Sequence, residues 1–159
     1  MHKTRNDLAA NTRKTVIEIL NARLADLLDL QLALKHAHWN VKGPHFIALH
    51  EMFDAMTDSY DAHVDDMAER ITALGGTAMG SVQAVGTATS LEPWPTDLSD
   101  GLKVVEALAA RTAAAAKAVR KAIDETAEAG DADAADILTA LSRQLDKNLW
   151  FLESHLQKG

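Results

Sequence analysis

Five side chains carry the nitrogen and oxygen donors that a divalent ion prefers: His38, His50, Asp54, Asp65 and Glu69. Imidazole with carboxylate is the donor mix of ions such as iron or zinc. Read as a helix from Pro44 onward, at about 100° per residue, the segment separates into two stripes. Phe46, Leu49, Phe53, Met56, Tyr60, Val64, Met67, Ile71 and Leu74 make an apolar stripe, and His50, Asp54, Asp65 and Glu69 lie beside it. His50 and Asp54 stand one helical turn apart, and Asp65 and Glu69 repeat that spacing. The two pairs are separated by about 22 Å at 1.5 Å per residue, too far for one ion to be held by both pairs of one chain. Two copies of the helix, antiparallel about a two-fold axis near Ser59–Tyr60, would bring each His50–Asp54 pair against an Asp65–Glu69 pair. Such a dimer has two equivalent sites.

His38 belongs to the preceding element. Val41-Lys42-Gly43-Pro44 reads as a tight turn, with Gly43 at a helix end and Pro44 at the first position of the next helix. In the resulting hairpin His38 and His50 stand at similar heights on neighbouring helices. Each residue also admits a plainer role. A histidine on an apolar stripe is often a hydrogen-bonded core residue, Asp65 and Glu69 could be a solvated face, and His50 with Asp54 could be a simple i,i+4 pair.

The run H38-W-N-V-K-G-P followed by F46, H50-E-M-F-D54, D65-D-M-A-E-R and G75-G76 resembles the Dps family, the miniferritins or DNA-binding proteins from starved cells. The resemblance extends from T4-R-N-D7 to the closing D146-K-N-L-W-F-L-E153. It implies an all-α, ferritin-like four-helix bundle whose His38, His50, Asp54, Asp65 and Glu69 are ferroxidase ligands shared across a two-fold interface. It further implies a hollow dodecamer, iron as the metal, Fe(II) and hydrogen peroxide (or oxygen) as substrates, and an acidic three-fold pore from Asp131, Asp133 and Asp136. For these three aspartates, favourable interaction with a helix N-terminus is the alternative, and both can hold.

The elements that must position the ligands are long helices. The chain has 159 residues, enough for one domain with a real core, and its residues are 47% hydrophobic but only 4% aromatic. Cysteine is absent, which excludes disulfides and thiolate metal sites. No secretory leader opens the chain and no apolar run approaches about 20 residues, so a cytoplasmic protein without membrane contact is expected. A first helix is predicted over about Thr12–Asn40, after a flexible tail (residues 1–11), with residues 12–159 forming the bundle domain. Ile17, Leu28 and Leu32 fall off its main apolar face, which suggests a subunit interface, with a wide core stripe as the plainer alternative. The second helix is predicted over Pro44–Leu74, stopping at Gly75-Gly76. The Gly-, Ser-, Thr- and Pro-rich link over 77–96 is long enough to return the chain along the bundle, a single-crossover topology. The resemblance places a short helix near Ser81–Ala88 within it. A third helix is predicted from near Asp97, with Leu98 on its apolar face, and a fourth after Gly130, capped by Asp131 or Asp133.

Several signals point elsewhere and are weaker. The Glu-x-x-His pair of ordinary di-iron bundles is absent, which leaves the intersubunit site. Trp39, beside His38, reads as a packing residue or nearby electron donor, Trp94 and Trp150 as structural, and His63 as an exposed helix histidine. A different class of function, compaction of nucleoid DNA, depends on cationic tails. Here Lys3, Arg5, Arg13 and Lys14 at one end and Lys158 at the other face a formal charge of −7 per chain, so DNA binding is expected to be weak or absent at neutral pH. A bundle binding zinc structurally is the third possibility.

Overall fold

The computed structural model describes residues 1–157, and its elements are α1 (Ala10–Asn40), α2 (Phe46–Asp58), α3 (Asp61–Ala73), α4 (Val82–Ala88), α5 (Gly101–Glu128) and α6 (Ala132–Ser154). Four rods make the bundle: α1, the α2–α3 pair, α5 and α6. Leu20, Leu24, Leu27, Leu30 and Leu34 of α1 bury against Leu49, Phe53, Met67 and Ile71 of the second rod and Val104, Leu108 and Val119 of α5. Each leucine so buried contributes about 1.5–3 kcal/mol relative to exposure.

The second rod departs from the single helix predicted over Pro44–Leu74. It begins at Phe46, because Pro44 and His45 form the turn after Gly43, whose φ of 112° needs a glycine. It is also interrupted at Ser59–Tyr60. The Thr57 carbonyl accepts from Tyr60 N–H at 3.1 Å and from Gln31 Nε2 at 3.1 Å, so a side chain enters the helical hydrogen-bond ladder there. Its end is the left-handed stop expected at Gly75-Gly76. Gly75 N–H donates to Thr72 and Gly76 N–H to Ile71, the paired bonds of a Schellman cap. A Cβ on Gly76 would lie 2.8 Å from Ile17, so α1 passes this corner closely.

The return link is tied to α1 and α5 by charge. Asp26 accepts from Ser90 N–H (2.7 Å) and Oγ (3.0 Å) while paired to Arg23 (3.0 Å). Asp29 accepts from Thr89 Oγ1 and is paired to Arg111 at 2.7 Å. Together with α4 this covers part of the surplus apolar side of α1: Ile17 and Leu28 are half-buried, but Leu32 stays 55% exposed beside Val82. α5 starts later than predicted, capped by Asp100 at Lys103 N–H, so Leu98 lies before it. Lys42 N–H to Ser99 (2.8 Å) and Gly101 N–H to Lys42 (3.1 Å) fasten that start to the α1–α2 turn.

Residues 1–9 have no regular structure but lie along the end of α3. His2 N–H donates to Gly75, and Arg13 Nη1 reaches the Leu74 carbonyl at 3.1 Å. Among the described residues no helix is long and apolar enough to cross a membrane.

Candidate metal centre

The last turn of a helix leaves carbonyls without intrahelical donors. In α1 the carbonyl of His38 loses its natural donor, because Lys42 N–H bonds to Ser99 instead. His50 Nδ1–H takes that place at 2.8 Å, and His38 Nδ1–H donates in return to the His50 carbonyl at 2.7 Å. The rings stack with centroids 3.7 Å apart and planes 17° from parallel. In the neutral rings these bonds put hydrogen on Nδ1 and leave each Nε2 with a free lone pair, the state that ligates metal.

Asp54 lies one turn beyond His50, its carboxylate 4.0 Å from His38 Nδ1 and paired with Lys35 of α1. The Lys35 hydrogen bond holds the Asp54 carboxyl below its ordinary 3.8 against the opposing effect of burial, with the Lys35 charge adding to it. The structure thus stacks His38 on His50 and sets Asp54 beside them, nearer the Nδ1 side of His38 than a shared metal position. Asp65 and Glu69, on α3 beyond the break, are exposed, and neither carboxylate meets a cation or hydrogen-bond donor among the described residues. Within the described part of one chain no three ligand-type side chains gather into a metal cluster. The donor chemistry fits iron, with two nitrogens and one carboxylate in one half and two uncommitted carboxylates in the other. A cleft of about 490 Å³ lies elsewhere, between the start of α1 and the end of α5 at Glu125, Glu128 and Ala129.

Two neighbours carried no motif. Gln31 and Lys35 precede His38 on one face of α1 at helical spacing, and that spacing was the only signal available in the sequence. Among the acidic trio, Asp131 takes the helix-capping role expected of it or Asp133. It is 1% exposed, caps α6 by accepting from Ala134 N–H (3.0 Å), and receives both arms of Arg70 from α3, so in the single chain it faces a joint between helices. Asp133 is exposed and 3.2 Å from Arg70, and Asp136 is exposed. Phe46, Trp39 and Trp150 are 43%, 68% and 61% exposed, so none packs into this chain's core. His63 is half-buried, its Nδ1 has no partner, and burial pulls its pKa below 6.5 against the charge of Asp66. Lys158 lies outside the described residues.

The sequence matches the Ferritin family, a ferritin-like domain, over residues 17–159. It is 53% identical over 157 residues to a "DNA protection during starvation protein" of Agrobacterium fabrum, covering 99% of this chain and 97% of that one. Among solved structures it is similar to Dps of Mycobacterium smegmatis (TM-score 0.94, 30% identity, covering 100% of this chain and 96% of that one). It is also similar to DpsA14 of Streptomyces coelicolor (TM-score 0.93, 35% identity, covering 98% and 92%).

Proposed function

This chain belongs to the Dps family of ferritin-like proteins, and from that premise we propose that it is a ferroxidase that oxidises Fe(II) at centres shared between two subunits and stores the ferric product. One observation carries the reading: the reciprocal histidine–carbonyl bonds that leave two Nε2 lone pairs free on stacked rings. His38, His50 and Asp54 of one subunit would bind the substrate ion together with Asp65 and Glu69 of the other. Two Fe(II) ions give up one electron each, and one hydrogen peroxide accepts both, so the oxidant is consumed without releasing a one-electron radical. Oxygen is the slower alternative oxidant. Carboxylates favour the ferric product and so assist the electron loss.

In this reading two-fold dimers assemble into a twelve-subunit cage in which ferric iron mineralises, in the cytoplasm, with protection of DNA following from removal of Fe(II) and peroxide together. The exposed apolar strip of Leu32 and Val82 supports burial against another subunit. Asp133 and Asp136 are the exposed carboxylates that a cation pore would use.

Subunit mixing tests the shared centre. A His38→Ala/His50→Ala chain and an Asp65→Ala/Glu69→Ala chain should each be inactive alone. In a mixed dimer one of the two centres keeps every ligand, so remixed protein should recover Fe(II) oxidation. Recovery that never exceeds either parent would refute the assignment.

A further inference from the structure

The break at Ser59–Tyr60 is the pivot of the proposed centre. His50 and Asp54 precede it and Asp65 and Glu69 follow it, each pair centred about 11 Å away at 1.5 Å per residue. A 10° change of bend therefore moves a half-site by about 2 Å, whereas a metal site demands donor distances within about 0.2 Å. The bend must be stiff where the backbone ladder is interrupted.

Side chains from two other helices supply contacts there. From α6, Asn148 Nδ2 donates to Ser59 Oγ at 3.1 Å, and that hydroxyl donates to the Met56 carbonyl at 2.7 Å. These contacts fasten Ser59 and Met56, on the α2 side of the break. From α1, Gln31 Nε2 donates both to the Thr57 carbonyl at 3.1 Å and to the Asp61 carboxylate at 2.8 Å. One amide, with two hydrogens to give, thus grips the last turn of α2 and the first residue of α3. Gln31 also stands one turn from Lys35 and two from His38 on the same face of α1. The brace and the nitrogen half-site therefore share one element.

We propose that Gln31 is a positioning residue of the shared centre, setting the α2–α3 bend that brings the histidine and carboxylate half-sites into register. This rests on the shared-centre reading above. It predicts an effect on metal geometry from a residue that does not touch the metal.

The test uses full-length assembled protein and Co(II), an air-tolerant probe of nitrogen–oxygen sites whose visible band reports coordination geometry. Gln31→Met keeps the size and removes the donor. It should retain helix content and sedimentation while binding Co(II) at least tenfold more weakly with an altered band. Gln31→Lys, which restores a donor, should bind within about threefold of the unmodified protein. Unchanged affinity and band in Gln31→Met overturn the proposal. His50→Ala separates the two levels: if it binds Co(II) like the unmodified protein, the centre itself is misassigned and the proposal falls with it. If Gln31→Met does not assemble, Asp61→Ala removes the exposed end of the brace. It should weaken Co(II) about threefold or more, and unchanged binding there also overturns the proposal.

Discussion

A histidine can present either ring nitrogen to a metal, and in this chain backbone carbonyls make the choice for both His38 and His50. The same local logic governs Asp54, whose ionised form is favoured by Lys35. Replacing Lys35 with Met removes the largest cause of that shift, so the Asp54 carboxyl should titrate closer to 3.8, as an NMR pH titration would read. The sign follows from linkage. A carboxylate with a depressed folded pKa contributes stability above its unfolded pKa and loses it as pH falls through the folded one. Lys35→Met should therefore lower stability slightly at neutral pH, where that contribution is fully present, and converge with the unmodified protein as pH falls below about 4. The effect is small because the pair is well exposed.

At the scale of elements, α3 and α6 are joined by Arg70 and Asp131, and this joint separates two readings of the acidic trio. Asp131→Ala removes a helix cap, worth about 1 kcal/mol, and takes from Arg70, which is 14% exposed, its two-armed partner, leaving it only the exposed Asp133. Breaking a buried pair costs about 3–5 kcal/mol when the remaining charge has no partner, and Asp133 retains part of it, so a loss of about 2 kcal/mol or more is expected in denaturant unfolding. Asp133→Ala and Asp136→Ala, both on the surface, should stay within about 0.5 kcal/mol. If Asp131→Ala unfolds like the unmodified protein while slowing iron entry, the carboxylate serves a pore and not a joint. The α2–α3 break belongs to this scale too, since its geometry depends on α1 and α6 side chains and not on Ser59 or Tyr60 alone.

For the whole molecule, charge decides the relation to DNA. Twelve chains at −7 would carry −84, and the cations that could offset it are few. Of Lys3, Arg5, Arg13 and Lys14, Arg13 is turned inward to the Leu8 and Leu74 carbonyls, and the tail lies along Ala73–Gly75 through His2 and Thr4. Multiple copies on a cage raise effective concentration, yet every phosphate contact steepens the loss of affinity with salt by about 0.9 in log–log slope. A gel-shift titration at about 150 mM salt and neutral pH should show no sub-micromolar complex, with Fe(II) oxidation intact. A tight complex under those conditions would make DNA a direct partner.

The sequence alone determined the helical class, the single crossover, the glycine stop at Gly75-Gly76 and the separation of the His50–Asp54 pair from the Asp65–Glu69 pair along the second rod. Each of these follows from local periodicity, from turn residues or from a rise of 1.5 Å per residue. The tertiary structure decided what depends on partners distant along the chain. Asp131 could be a cap or a pore carboxylate until Arg70, 61 residues away, came within bonding distance. Nothing at Ser59–Tyr60 spelled a break, because the donor that enters the ladder is Gln31 from another helix. The histidine tautomers were equally hidden, since they depend on Lys42 N–H turning to Ser99 and so freeing the His38 carbonyl. Periodicity records which face a residue occupies, and only packing records which polar group it meets there.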